Sequence, residues 1–229
     1  MVESVVPVAE DKPVIVASMF GNTTDCVNHA KGLLEAAGYE VLIFHATGTG
    51  GRTMESLIET GLVAGVLDLT TTEWADEHVG GILGAGPARL EAAARNGVPA
   101  VIAPGCLDMV NFGEPDSVPA QFAGRNFYLH NPQVTLMRTS ADECLALGKI
   151  LAEKINLSKG SVKVLLPQGG ISVISQPDGL FYDRTADEAL FASLKAGLRG
   201  DIRVEELNCA INDSQFAEVA ARALLDQLA

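Results

Sequence analysis

Four short stretches of this 229-residue chain hold side chains whose types and spacing can do chemistry. The first, His45-Ala46-Thr47-Gly48-Thr49-Gly50-Gly51-Arg52, follows the apolar run Val41 to Phe44 and precedes a helical pattern from Thr53 to Thr60. A strand, a glycine-rich turn and a helix start leave backbone N–H groups pointing outward, where a phosphate or carboxylate can accept from them. Thr47, Thr49 and Arg52 would add hydroxyl and guanidinium donors to such an anion site. The plainer reading is that Gly48, Gly50 and Gly51 only permit a tight turn with positive φ angles.

The second stretch, Pro104 to Gly113, sets Asp108 and Asn111 in an otherwise apolar run. Asp108 can serve as a general base or bind a substrate hydroxyl, or it can hold its own loop through an Asx-type turn. Cys106 in the same run would need a partner that lowers its pKa before it could act as a nucleophile. The sequence shows none, so a buried filler is expected. The third stretch, His130-Asn131-Pro132-Gln133, presents hydrogen-bonding side chains before a proline-fixed turn. His130 is the histidine best placed to be an acid, a base or a substrate contact, with Asp108 as its partner and His45 as the second choice. The fourth, Gln168-Gly169-Gly170, is a further turn with backbone donors.

These stretches match few established patterns. Gly-x-x-x-x-Gly-Lys-Ser/Thr and Gly-x-Ser-x-Gly are absent, as is any zinc-ligand pair. Gly48-Thr49-Gly50 supplies two glycines of a dinucleotide fingerprint, and Asp68 stands where a ribose-binding acid would, but Thr53 occupies the third glycine position. Asp68, Glu73, Asp76, Glu77 and His78 offer enough ligands for a divalent cation. Glu73 to His78 nevertheless reads as the solvated first turn of a helix, where acids suit the dipole, and no metal site is assigned.

The elements that must position these loops alternate regularly. Strand patterns at Val14–Ala17, Val41–Phe44, Val63–Leu69, Val101–Ala103, Val162–Leu166 and Ile202–Leu207 are separated by helical ones, with a further short strand at Asn126–His130. Thr24 and Gly38 bracket one helix, Gly86-Pro87 and Asn96-Gly97 another, and Ser140 with Glu143 forms a capping box that opens a third. Thr185 with Glu188 opens the next, and Asp213 caps the last. Residues 114–126 read as an excursion or lid. Alternating strands and helices call for parallel pairing through right-handed crossovers. The expected fold is therefore α/β, a doubly wound, mostly parallel Rossmann-like sheet with helices on both faces, with a partial TIM-like barrel as the alternative. Either way the loops at the carboxyl ends of the strands gather along one edge, where ligands bind. Residues 1–12 read as a linker or arm and 13–229 as a single domain.

Composition narrows the function. The 16 Lys and Arg against 29 Asp and Glu give a formal charge of −13, which argues against a nucleic-acid partner. Four separated cysteines without a signal-peptide pattern fit a reduced, cytoplasmic protein, and no apolar run is long enough to span a membrane.

The runs Phe44 to Arg52, Pro104 to Gly113 and His130 to Thr139 resemble an uncharacterised protein family related to the tomato mosaic virus resistance protein Tm, whose members are known as Tm-like ATP-binding proteins. The likeness extends from about Lys12 to the end. It implies two Rossmann-like domains in a full-length member, of which this chain resembles the second, with an N-terminal domain as a partner outside it. It also implies homodimers and, as a label of the family as a whole, ATP; magnesium is weighed beside ATP as a cofactor. The reading that follows is a small-molecule binding domain for a nucleotide or another phosphorylated or carboxylated ligand. The anion is expected on Thr47, Gly48, Thr49, Gly50, Gly51 and Arg52, and the rest of the ligand on His45, Asp108, Asn111, His130, Asn131, Gln168 and Gly169. A hydrolase, lyase or isomerase using His130 and Asp108 in the same cleft is one alternative, and a dimerisation scaffold is the other.

Overall fold

The computed structural model describes residues 12–229, so the arm expected over residues 1–12 lies, but for Lys12, outside the described residues. Six parallel strands form the main sheet: β1 (Val14–Met19), β2 (Glu40–His45), β3 (Val63–Thr70), β4 (Ala100–Gly105), β8 (Val162–Pro167) and β9 (Arg203–Leu207), in the order β2-β1-β3-β4-β8-β9. The sheet is open, with β2 and β9 at its edges, so the barrel alternative is set aside. The order reverses between β1 and β3, which makes the carboxyl ends of those two strands the topological switch point.

Strand side chains alternate between two cores, as a period of two requires. Ile15, Ala17, Leu67, Val101 and Leu165 face α1 (Thr24–Ala36) and α7 (Ser214–Leu228). Val16, Val66, Ile102 and Val164 face the other way, onto α2 (Thr49–Glu59), α3 (Glu73–Val79), α4 (Ala92–Asn96), α5 (Ala141–Ile155) and α6 (Arg184–Gly197). The inner strands β1, β3, β4 and β8 are largely buried on both faces and therefore read as mostly apolar runs, whereas the edge strand β9 carries Arg203, Glu205 and Glu206. The capping box of α5 forms as expected: Glu143 N–H donates to Ser140 Oγ, and Ser140 N–H donates to the Glu143 carboxylate.

Four local expectations are corrected. Helix α2 starts at Thr49, not Thr53, so the glycine stretch is itself the first helical turn, with Gly48 as N-cap at φ +80°. The helix expected from Gly86 to Asn96 shrinks to α4. Leu90 adopts a left-handed φ of 71°, and the N–H groups of Leu90 and Ala92 turn to the Glu55 carboxylate instead of continuing a helix. Asp183, not Thr185, caps α6 by accepting from Ala186 N–H at 3.0 Å. Part of the Pro104–Gly113 loop is a strand, β5 (Met109–Phe112). It joins β6 (Phe127–Asn131) and β7 (Val134–Arg138) in a three-stranded antiparallel sheet of order β5-β7-β6, inserted between β4 and α5.

Candidate functional site

Near the switch point the polar side chains satisfy one another. Arg89, 1% exposed, donates to both Asp68 oxygens at 2.5 and 2.7 Å, to Glu73 at 2.7 Å and to Glu55 at 3.1 Å. Ser18 Oγ completes Asp68 with a bond of 2.6 Å. Burial raises the Glu55 carboxyl, while burial of Arg89 is outweighed by the surrounding acids, so its guanidinium stays charged. Asp68 thus binds a guanidinium in the position where a dinucleotide site would hold a ribose.

Glu73 also reaches the glycine loop. Its Oε1 accepts from Gly48 N–H at 2.7 Å and from Gly51 N–H at 3.0 Å. The anion at the N-terminus of α2 is therefore the protein's own carboxylate, and a phosphate would find those two amides taken. Space is equally committed: a Cβ on Gly50 would stand 1.8 Å from His45 O, and one on Gly51 would stand 2.2 Å from Glu73 Oε2. The remaining polar groups of the loop bond locally. Arg52 donates to Gly84 O and Thr49 Oγ1, and Thr47 bonds His45 O. His45 is exposed, with its ring 5.4 Å from that of Phe20. Glu73 and Asp76, expected in a solvated turn, are each 1% exposed.

Asp76 forms a second buried pair. It accepts from Asn111 N–H at 2.9 Å and from Asn111 Nδ2 at 2.7 Å, which joins α3 to β5. Burial lifts its carboxyl to about pKa 7. Among the described residues no three His, Cys, Asp or Glu side chains are grouped to hold a metal ion.

A third network lies between β5, β7 and α6. Asp108 is fully buried; one carboxylate oxygen accepts from Ser172 Oγ at 2.7 Å, and the other has no partner among the described residues. Arg138 donates to Asp187 at 2.7 Å and to Thr139 at 2.9 Å. Burial raises both carboxyls against the pull of Arg138, that of Asp187 to about 6. Ser175, which holds the backbone of Ile171 and Ser172, and Asp187 then form the wall of a cavity of about 280 Å³. It sits at the carboxyl ends of β8 and β9, and Gln168, Tyr182, Arg184, Glu188 and Asn208 complete its polar lining.

The structure therefore divides the residues expected in one cleft. Gln168 reaches the cavity, and Asp108 lies one serine behind Ser175. Gly169 packs at the same strand end, where a Cβ would meet Ala210 N at 2.6 Å. Asn111 is committed to Asp76. His130 and Asn131 are exposed at the tip of β6, where Asn131 accepts from Gln133 N–H and His130 lies edge-on to Tyr128. Asn131 pairs with Val134, while Met109, next to Asp108, pairs with Arg138. His130 and Asp108 thus sit at opposite ends of β7, roughly 13 Å apart along the strand. Cys106, at a left-handed φ of 59°, is fully buried, and burial followed by the Asp108 charge raises its thiol well above the ordinary range, so it is unsuited to nucleophilic attack.

A doubly wound α/β domain with a polar cavity at its strand-end edge is thereby defined. Residues 12–228 match the model of the uncharacterised protein family UPF0261, C-terminal domain, and the chain belongs to that family. It is 51% identical to a UPF0261 protein of Clostridium tetani, over 95% of this chain and 54% of that protein. It is 48% identical to one of Rhizobium meliloti, over 94% and 54%. The ToMV resistance protein Tm-1(GCR237) of Solanum lycopersicum is 42% identical over 96% of this chain and 29% of its own length. The chain spans about half the length of these bacterial relatives. A crystal structure of PytH_H230A superposes with a TM-score of 0.39 at 12% identity over 95% of this chain and 97% of that one, a likeness too slight to bear on function.

Proposed function

We propose that this domain binds a small, donor-rich polar molecule, such as a polyol or an amino compound, in the cavity between the carboxyl ends of β8 and β9. The observation that carries this reading is the lining: two buried side chains, Ser175 and Asp187, form the wall beside the accessible amides of Gln168 and Asn208. The position is the usual ligand edge of an open parallel sheet. Asp187 and Glu188 outnumber Arg184, which pairs with Glu188, so the cavity favours ligand donors over a phosphate. This reading differs from the ATP that the family resemblance implies, with or without magnesium, and the two are tested together.

A thermal-shift and calorimetry panel of polyols, amines, ATP and phosphorylated acids, with and without magnesium, provides that test. A donor-rich compound should bind, and Gln168→Ala and Asn208→Ala, both at exposed positions, should each weaken it about tenfold. Unchanged affinity in both variants, or binding of ATP that depends on Arg52 alone, would sink this assignment. Turnover in the same cavity is the second reading: Asp187 lies on its wall, and burial lifts its carboxyl to about 6, within reach of acid–base work at neutral pH.

A further inference from the structure

A second cavity lies on the small antiparallel sheet. Leu129 stands opposite Thr135, and Phe127 opposite Met137, so these four side chains share one face. The inner part of that face is covered, because Met137, Phe112 and Phe122 belong to the main core and Phe127 packs against it. The outer part is open. There Leu129 and Phe127 face Pro115, Val118, Pro119 and Ala120 of the 114–126 excursion across a cavity of about 390 Å³.

Its lining contains no charged residue. The polar group in it is Thr135, 4% exposed, whose hydroxyl has no hydrogen-bond partner among the described residues. A buried hydroxyl left unpaired is costly, and a change of its χ1 rotamer would turn it toward a group seated in the space beside it. We propose that this cavity is a binding site for a small apolar molecule carrying one uncharged hydrogen-bonding group, an alcohol or an amide or ester carbonyl, which Thr135 engages at the base. The volume falls within the range of small-molecule pockets, and the apolar walls supply the burial. An ionised head group is disfavoured, because no cation is present to replace its water.

NMR titration of the full chain with 1-octanol and, separately, with octanoate at pH 7.5 tests the proposal. Octanol should shift the amides of Phe127, Leu129 and Thr135 saturably, and octanoate should bind at least tenfold more weakly. Thr135→Val, which keeps the shape, should weaken octanol about three- to tenfold while leaving cyclohexane binding unchanged. Leu129→Asp, at a residue already 55% exposed, should abolish both. Equal octanol affinity in Thr135→Val would overturn the proposal. So would a dimer that Leu129→Asp converts to monomer in sedimentation without octanol ever binding, since the face would then be covered by a second copy.

Discussion

At the scale of single residues, Glu73 does what a bound anion was expected to do, and Arg89 fixes it there. Both were hidden from sequence reading for a physical reason. An acid in the first turn of a helix is usually solvated, and its partner lies sixteen positions on, outside any helical repeat, in a segment whose backbone turns away at Leu90. Arg89→Met leaves Glu55, Asp68 and Glu73 buried without their cation and should cost about 3–5 kcal/mol in urea denaturation at pH 8. Burial already raises the Glu55 carboxyl, and without the guanidinium the largest effect opposing that rise is gone, so the loss should shrink at pH 5; an equal loss at both values would refute the account. The glycine positions give a paired prediction. Gly32, with open space around it on the exposed face of α1, should gain up to about 1 kcal/mol on change to Ala. Gly50→Ala, blocked by the His45 carbonyl, should lose about 1–3 kcal/mol. Equal responses in denaturant would show that the loop is not close-packed. The glycines were legible as a loop that the chain needs, but their spacing does not say whether a ligand or a carboxylate of the protein fills it.

At the scale of elements, the parallel strands and the capped helices were readable because their signals are local: an apolar run buried on both faces, or Ser140 three residues before Glu143. Of the small sheet only β6 was, as the short strand expected at Asn126–His130. β5 carries Asn111 and begins next to Asp108, so it reads as a loop with two polar residues, and its apolar side chains become meaningful only when β7 pairs with it. Helix packing was equally silent. A Cβ on Gly148 of α5 would meet Ser193 Oγ at 1.9 Å and Leu190 O at 2.5 Å on α6, so these helices touch backbone to side chain at that point. Gly148→Ala improves helix propensity yet must push α6 away, and the second effect is larger. A net loss of about 1–3 kcal/mol is expected, measured by chemical denaturation, with amide exchange rising in α6 in particular. A gain in stability would mean that the two helices separate without cost.

At the scale of the whole molecule, the acidic balance and the buried carboxyls together set the dependence on pH. Asp76 takes its proton at about pH 7 in the folded chain against an ordinary value of 3.8, and Asp187 at about 6. Between the unfolded and folded values the folded chain binds more protons, so stability must fall as pH rises from about 4 to about 7. Glu143 opposes this at the acid end. Its bonds to Arg125 and Ser140 outweigh its burial and lower its pKa, so its contribution is present above its ordinary value of 4.5 and lost as pH falls below it. Stability should therefore peak between about pH 4 and 4.5 and decline by roughly 2–4 kcal/mol from pH 5 to pH 8. Surface repulsion from a formal charge of −13 gives a slope of the same sign, but 0.5 M salt screens it and leaves the buried groups almost untouched. Asp76→Asn separates the two causes. Asn111 has an unpartnered Oδ1, which can turn to accept from the new amide, so the pair survives while its titration disappears. Urea denaturation from pH 5 to 8 in high salt should show a shallower decline in Asp76→Asn than in the parent chain, and equal slopes would place the pH dependence outside the α3–β5 contact.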